Sequence, residues 1–342
     1  MGWNPYNQFH GDANENIIKA HADIIADKGY LDVGYRYINL DDGWQGPIRL
    51  ALASYIHSKG LLFGIYSDAG YKTCGGSPGS LGFETIDAET FVEWGVDYLK
   101  YDNCNNDGRP EPERFQVTTK GNKSQIFYNI VEWGTSNPWL WGPAIGNSWR
   151  TSVDIDAFWP SIISIIDSQA RLTQYGKPGG WNDPDMLVVG FPAIPFQEQV
   201  THFCFWAALK APLILGYDLS NEQVVNGTIK DLMTNIDIIS VNQDPLGKSV
   251  CQVHYVTNGA TSFDIWTGPL SDGYVAHITL DFKNHCRLTG NILIRDLVKQ
   301  TNIGNFTTDS YTATNIPRHG VAFLKLIGGD VVNGTSPCLY NV

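Results

Sequence analysis

No run of apolar residues in this chain is long enough to span a bilayer. Basic charge is scarce: 23 lysines and arginines stand against 35 aspartates and glutamates, a net charge of −12. Nucleic acids and acidic membranes require a basic face, so the balance argues against both as partners. The eight histidines form no HExxH pair, and no Cys/His cluster has metal-ligand spacing. There is no EF-hand loop either, and we expect neither metal nor cofactor. No glycine-rich loop follows the first candidate strand, which argues against a dinucleotide-binding fold. Six cysteines are too few for a disulfide scaffold and fit one or two bonds. Low-complexity tracts and short repeats are lacking as well.

What is present suits a large domain plus a smaller module: 342 residues, of which 43% are hydrophobic. Trp and Tyr are plentiful, at 11 and 16. Their rings stack on the apolar faces of sugars, but they also fill cores. The sequence opens directly on "MGWNPYNQF", which reads as a mature form whose leader has been removed. Four sequons begin at Asn122, Asn226, Asn305 and Asn333, and point to a secreted, extracellular glycoprotein.

Short apolar runs alternate with helix-like segments over the first two thirds of the chain. "YRYINL" (35–40), "LLFGIY" (61–66), "VDYLKY" (96–101) and "IFYNIV" (126–131) read as strands buried on both faces. "ENIIKAHADIIADKG" (15–29) and "PIRLALASYIHSKG" (47–60) carry helical periodicity and end in a glycine stop. "DAETFVEWG" (87–95) repeats the scheme. With "MGWNPYN", "PAIGNSW", "GGWND" and "APLILG", the candidate strands number eight, the count of a (β/α)8 TIM barrel. A doubly wound open sheet is the structural alternative. After "VNQDPLGKS" the texture changes to alternating strands without a strong helix. We therefore expect a catalytic barrel over 1–248 and a C-terminal antiparallel β-sandwich over 249–342.

In such barrels the site lies at the carboxyl ends of the strands. There the sequence supplies Trp3, then Asp41, Asp42 and Trp44, then Tyr66 and Asp68, then Lys100 and Asp102. Glu132 and Trp133, Arg150 and Asp154, and Trp181, Asp183 and Asp185 follow later strands. Any one of these acids could be a helix cap. Recurrence after six strands suits a neutral polyol, with carboxylates accepting from hydroxyls and rings covering the sugar face. Lys100 and Asp102 are two apart on one strand, so both point to the same side. A cation there favours an ionised carboxylate, as a nucleophile requires. Glycoside hydrolysis needs two carboxyl groups across the scissile bond, and retaining enzymes keep them about 5–5.5 Å apart.

Nine motifs in order, among them "YINLDDGW", "TCGGSPGSLG", "VDYLKYDNC", "VEWG", "GNSWRTSVDID", "GGWNDPDML" and "VNQDPLG", resemble glycoside hydrolase family 27. This family comprises the α-galactosidases and α-N-acetylgalactosaminidases. The resemblance implies a retaining, double-displacement mechanism with Asp102 as nucleophile and Asp154 as acid/base. It implies sugar binding by Trp3, Asp41, Asp42, Tyr66, Lys100, Glu132, Arg150, Asp185 and Met186. It also implies a Cys74–Cys104 disulfide. Such a bond closes a loop of about 30 residues and contributes roughly 3–4 kcal/mol. Glu132 fills the place where α-N-acetylgalactosaminidases carry a small residue, which favours an exo-acting α-galactosidase on galacto-oligosaccharides or galactosylated polysaccharides. The alternatives are α-N-acetylgalactosaminidase and a catalytically silent galactose-binding protein. Cys204 reads as a buried free thiol, and at most two of Cys251, Cys286 and Cys338 can pair among themselves. Two departures stand out. Gly43 replaces a family cysteine, and "GWQG" runs almost directly into "PIRLALASYIHSKG", shortening the loop between Gly46 and Pro47.

Overall fold

Eight short segments form one parallel sheet in the computed structural model of the chain. The structure describes every residue except 46–49, 117–125, 222–223, 225, 259–260, 278, 334–336 and 341–342. The shortened loop between Gly46 and Pro47 and the sequon at Asn122 therefore lie outside the described residues. The strands are β1 (Gly2–Trp3), β2 (Tyr37–Asn39), β3 (Leu62–Asp68), β4 (Tyr98–Asp102), β5 (Phe127–Ile130), β6 (Ser148–Arg150), β7 (Trp181–Asp183) and β8 (Ile214–Leu215). Their order is β7-β6-β5-β4-β3-β2-β1-β8. Leu215 in β8 also bridges in parallel to Leu187, just beyond β7, and so closes the ring. This is the (β/α)8 barrel. Its closure explains why the strands read as apolar runs rather than as alternating ones: one face fills the barrel and the other faces helices.

The helices start and stop where local chemistry dictates. In the helix Glu15–Asp27, the Asn14 side chain accepts from the N–H groups of Asn16 and Ile17. That satisfies two of the donors a first turn leaves free. The helix then ends before Gly29, whose φ of 85° suits glycine. Helix Leu50–Ser58 stops in the same way before Gly60, at φ 75°.

Two compact units divide the chain. One comprises Met1–Ala157, Gly179–Phe191 and Pro212–Thr234, and holds all eight barrel strands. The other comprises Phe158–Pro178, Pro192–Ala211 and Asn235–Val342. It carries β9 (Cys251–Asn258), β10 (Thr261–Leu270), β11 (Gly273–His277), β12 (Thr279–Asp281), β13 (Leu288–Asp296), β14 (Thr301–Phe306), β15 (Ser310–Thr312) and β16 (Phe323–Val331). Six of these form an antiparallel sheet ordered β14-β13-β16-β11-β10-β9, and β12 pairs with β15. Val253, Ile265, Phe282, Leu288, Ile292, Ile294, Leu324 and Leu326 build its core. The expected C-terminal β domain is thus present. One short helix, Phe282–Cys286, interrupts it, started by Asp281 accepting from the Asn284 N–H.

The cysteines resolve into two bonds. Cys74 pairs with Cys104, as the resemblance implied. Cys251 pairs with Cys338, leaving Cys286 buried and free. Cys204 is also buried and free. The sequon asparagines Asn226, Asn305 and Asn333 are exposed.

Candidate active site

In a parallel ladder, residues in register share a face, and every second residue does so along each strand. Tyr66 lies opposite Lys100, and Asp68 opposite Asp102, across β3 and β4. Lys100 and Asp102 therefore reach the same side of β4, as their spacing predicts. The Lys100 ammonium donates to Asp41 Oδ2 at 2.7 Å, and the Asn4 amide donates to that oxygen at 2.6 Å. The same ammonium stands 5.4 Å from the ring centres of Tyr6 and Tyr66.

Asp102 is held from two directions. The Tyr66 hydroxyl donates to Oδ2 at 3.0 Å, and the N–H of Asn103 donates to Oδ1 at 3.0 Å. Asp42 accepts from the backbone N–H groups of Gly43 and Gly75 at 2.8 and 2.6 Å. A Cβ added at Gly75 would lie 2.9 Å from the Asp42 carboxylate, so the loop approaches that closely only because the residue is glycine.

Arg150 organises the opposite wall. Its Nη2 donates to Asp154 Oδ1 at 2.9 Å and to the Ser152 carbonyl at 3.1 Å, and pairs with Asp185 Oδ2 at 3.0 Å. Asp185 accepts from Ile155 and Met186 N–H groups at 2.9 and 2.7 Å. Its φ of 89° is left-handed for a residue with a Cβ. Such backbone persists where the surroundings over-determine it, and here they aim the acid at the guanidinium. Asp154, by contrast, is 74% exposed.

These side chains enclose a cavity of about 360 Å³. Of the expected residues, Asp41, Asp42, Tyr66, Cys74, Lys100, Asp102, Arg150, Asp154, Asp185 and Met186 line it. Trp3 and Glu132 do not. Trp3 is the outward residue of a two-residue strand. It is fully buried, stacks on His21 at 4.1 Å, and its indole N–H donates to the Tyr217 carbonyl at 2.8 Å. The aromatic ring that does line the cavity from this segment is Tyr6, three residues on. Glu132 turns into the protein. Its Oε2 accepts from the Thr135 hydroxyl at 2.7 Å and the Ser136 N–H at 2.8 Å, which makes it the cap of the following turn. The cavity is reached instead by its neighbour Trp133, at φ 58°. The inference that Glu132 selects the sugar is thus corrected. The signal for Tyr6 and Trp133 was visible only as aromatic residues in the same motifs; which ring faces inward depends on backbone geometry that the motifs do not contain.

Charge distribution sets the proton affinities. Burial pushes Asp102 up to about 6, although Lys100 draws it back down. Burial opposes the charge on Lys100 too, but Asp41 and Asp102 outweigh it, and the ammonium is held more tightly than usual. For Asp154 the partial loss of surrounding water acts upward, yet the Arg150 guanidinium prevails and holds the carboxyl below its ordinary range. The ordering is therefore opposite to that expected of a resting acid and its nucleophile. Two causes combine: burial raises Asp102, and the ion pair with Arg150 lowers Asp154.

Known proteins share the fold and much of the sequence. The family model described as "Alpha galactosidase A" matches residues 6–244, and that of the "Alpha galactosidase C-terminal beta sandwich domain" matches residues 260–326. An alpha-galactosidase of Cyamopsis tetragonoloba is 44% identical over 299 residues, covering 81% of this chain and 71% of the relative. The crystal structure of alpha-galactosidase I from Mortierella vinacea superposes with a TM-score of 0.89 at 32% identity, over 97% of this chain and 98% of that one. The Saccharomyces cerevisiae alpha-galactosidase, solved with raffinose, gives a TM-score of 0.87 at 27% identity over 95% and 96%. With two family models in chain order and a relative at 44% identity covered to 71% of its length, the chain belongs to the α-galactosidase family, glycoside hydrolase family 27.

Proposed function

We propose that this chain is a retaining exo-α-galactosidase that removes terminal α-D-galactosyl residues, with Asp102 as nucleophile and Asp154 as acid/base. One observation carries the reading: a buried carboxylate fixed by Tyr66 and Asn103 shares a small cavity with a solvent-exposed second acid. The cavity volume of about 360 Å³ sits at the small end of ligand sites, which run from about 300 to 1,000 Å³. That supports recognition of one sugar with the rest of the substrate outside.

In the first step Asp102 attacks the anomeric carbon and forms an ester to it. The bond from that carbon to the leaving oxygen breaks, and the oxygen takes a proton from Asp154. In the second step water attacks the same carbon, Asp154 takes the water's proton, and the ester bond returns its electron pair to Asp102. Asp154 first has to bind that proton. A substrate that draws the carboxyl off Arg150 removes the cation that keeps it ionised, and its proton affinity rises. Lys100 and Arg150 hold Asp41 and Asp185 as fixed acceptors for sugar hydroxyls. Asp42 offers the remaining acceptor.

Assaying Asp102→Ala and Asp154→Ala on an aryl α-galactoside, with and without azide, tests the roles. Each variant should lose about 100-fold or more in turnover, the range of acid–base and nucleophilic contributions. Unchanged turnover in either variant rejects its assignment. The N-acetylated analogue, run in parallel, separates α-galactosidase from α-N-acetylgalactosaminidase. Galactose binding without hydrolysis would instead favour a silent binding protein. We further propose α-galactosides such as raffinose as substrates, and a secretory route for the chain. The two disulfides and the exposed asparagines of three sequons support that route.

A further inference from the structure

Asp68 ends β3 and is fully buried, yet nothing in the reaction above uses it. It stands directly across the ladder from Asp102, and a carboxylate oxygen of each lies within 4.8 Å of the other. Two sulfur atoms lie within the same reach, but they are joined in the Cys74–Cys104 disulfide and offer no thiolate to a metal. What remains is a pair of adjacent buried acids. Two carboxylates this close, both buried, do not both ionise readily.

The surroundings decide which acid keeps its proton. Asp102 faces the cations Lys100 and Arg150 and accepts from the Tyr66 hydroxyl and the Asn103 N–H. Asp68 makes no ion pair among the described residues. The charged groups it faces are Asp102 on β4 and Asp42 beyond β2, both negative. Its favourable contacts are two backbone donors, Gly70 N–H to Oδ1 at 2.7 Å and Cys104 N–H to Oδ2 at 3.0 Å. Those two bonds tie the loop after β3 to the loop after β4. The loops touch so closely that a Cβ on Gly70 would fall 1.9 Å from the Cys104 carbonyl oxygen.

We propose that Asp68 is a positioning residue for Asp102: it keeps the proton of the pair, leaving the single negative charge on Asp102, and it clamps the backbone that carries Asp102. The inference rests on Asp102 being the nucleophile. The directions of the proton affinities agree with it. Burial and the charge of Asp102 push Asp68 up to about 8, above Asp102 itself at about 6. Asp68 is thus neutral in the range where Asp102 ionises.

The test uses Asp68→Ala and Asp68→Asn in the full chain, with kcat and KM on an aryl α-galactoside measured between about pH 4 and 9. Alanine removes the clamp and should lower kcat at least about tenfold while KM changes less than about twofold. Asparagine imitates the neutral acid but offers one acceptor oxygen, so it keeps one of the two N–H bonds and should recover most of the kcat that the alanine variant loses on the acid side. The ratio of wild-type to Asn activity should then be constant below about pH 7 and depart from constancy through about pH 8, where only the wild type ionises at this position. An Asn variant as damaged as the Ala variant, or a ratio flat across the whole range, overturns the proposal. So does a wild-type protein whose infrared spectrum near pH 7 lacks any absorption from an un-ionised carboxyl group, whatever the variants do. Trapping the wild-type enzyme with a fluorinated α-galactosyl fluoride and locating the label by peptide mass separates the two ideas. A label away from Asp102 rejects the nucleophile, whereas a label on Asp102 with a flat ratio rejects Asp68 alone.

Discussion

At the scale of single residues, Asp102 has to serve as an anion while buried. Burial holds it up at about 6, so kcat/KM should fall as the pH drops through about 6. The acid limb of a pH–rate profile measures this directly, and a midpoint in the ordinary carboxylate range near 4 would contradict it. Lys100 pulls the other way, so Lys100→Met should move that limb to higher pH. Glu132 gives a second residue-scale expectation. Because its carboxylate caps the turn at Thr135 and Ser136, Glu132→Ala should cost about 0.5–2 kcal/mol of stability. It should leave the ratio of rates on α-galactoside and N-acetylated analogue within about threefold of wild type. A reversal of that ratio would return Glu132 to the role of sugar selector. The contrast between Lys100 and Glu132 shows where residue-level reading works. Lys100 and Asp102 share a strand, whose period of two is a property of the chain itself. Glu132 lies past the end of its strand, where no period applies.

At the scale of elements, the loops after β3 and β4 are joined by the Cys74–Cys104 bond, by the Asp68 carboxylate accepting from the Cys104 N–H, and by Asn105, whose carbonyl accepts from the Tyr71 N–H and whose amide donates to the Lys72 and Thr73 carbonyls. The disulfide closes 30 residues of sequence. Replacing both cysteines by serine should lower stability by roughly 3–4 kcal/mol in denaturant unfolding. Turnover should fall as well, because Cys104 follows Asp102 by two residues and its loop loses a tether. Full stability in the double variant would show that the loop is held without the bond. The middle barrel strands, β2 to β5, are recognisable as elements because each lies in a largely apolar run, whereas β6 (Ser-Trp-Arg) and β7 (Trp-Asn-Asp) are not apolar. The ends of the barrel strands were read less well: "APLILG" spans six residues, whereas only Ile214–Leu215 pair as β8. Strand limits depend on how far a neighbouring strand continues, and that neighbour can be remote in sequence. β8 pairs with β1 and Leu187 pairs with β8 across gaps no local pattern spans.

For the molecule as a whole, the net charge of −12 and the exposed sequon asparagines Asn226, Asn305 and Asn333 bear on route and setting. Expression through a eukaryotic secretory pathway should yield a product that loses mass on treatment with a peptide N-glycosidase. Absence of a mass shift would remove the sequons as support for secretion. By itself the sequence determined the alternation of strand and helix, the change of texture near residue 250, and the set of acids and aromatics at the strand ends. All of these follow from periodicity and from short motifs, which are local properties of a chain. Only the tertiary structure decided which side chains face the cavity, Tyr6 rather than Trp3 and Trp133 rather than Glu132. It alone paired Cys251 with Cys338, set Arg150 against Asp154, and brought Asp68 beside Asp102. Those contacts join residues whose strands meet through the closed ring or whose loops fold over one another. Proton affinity depends on distance in space, so the chemistry of the two acids became readable only once the barrel had closed around them.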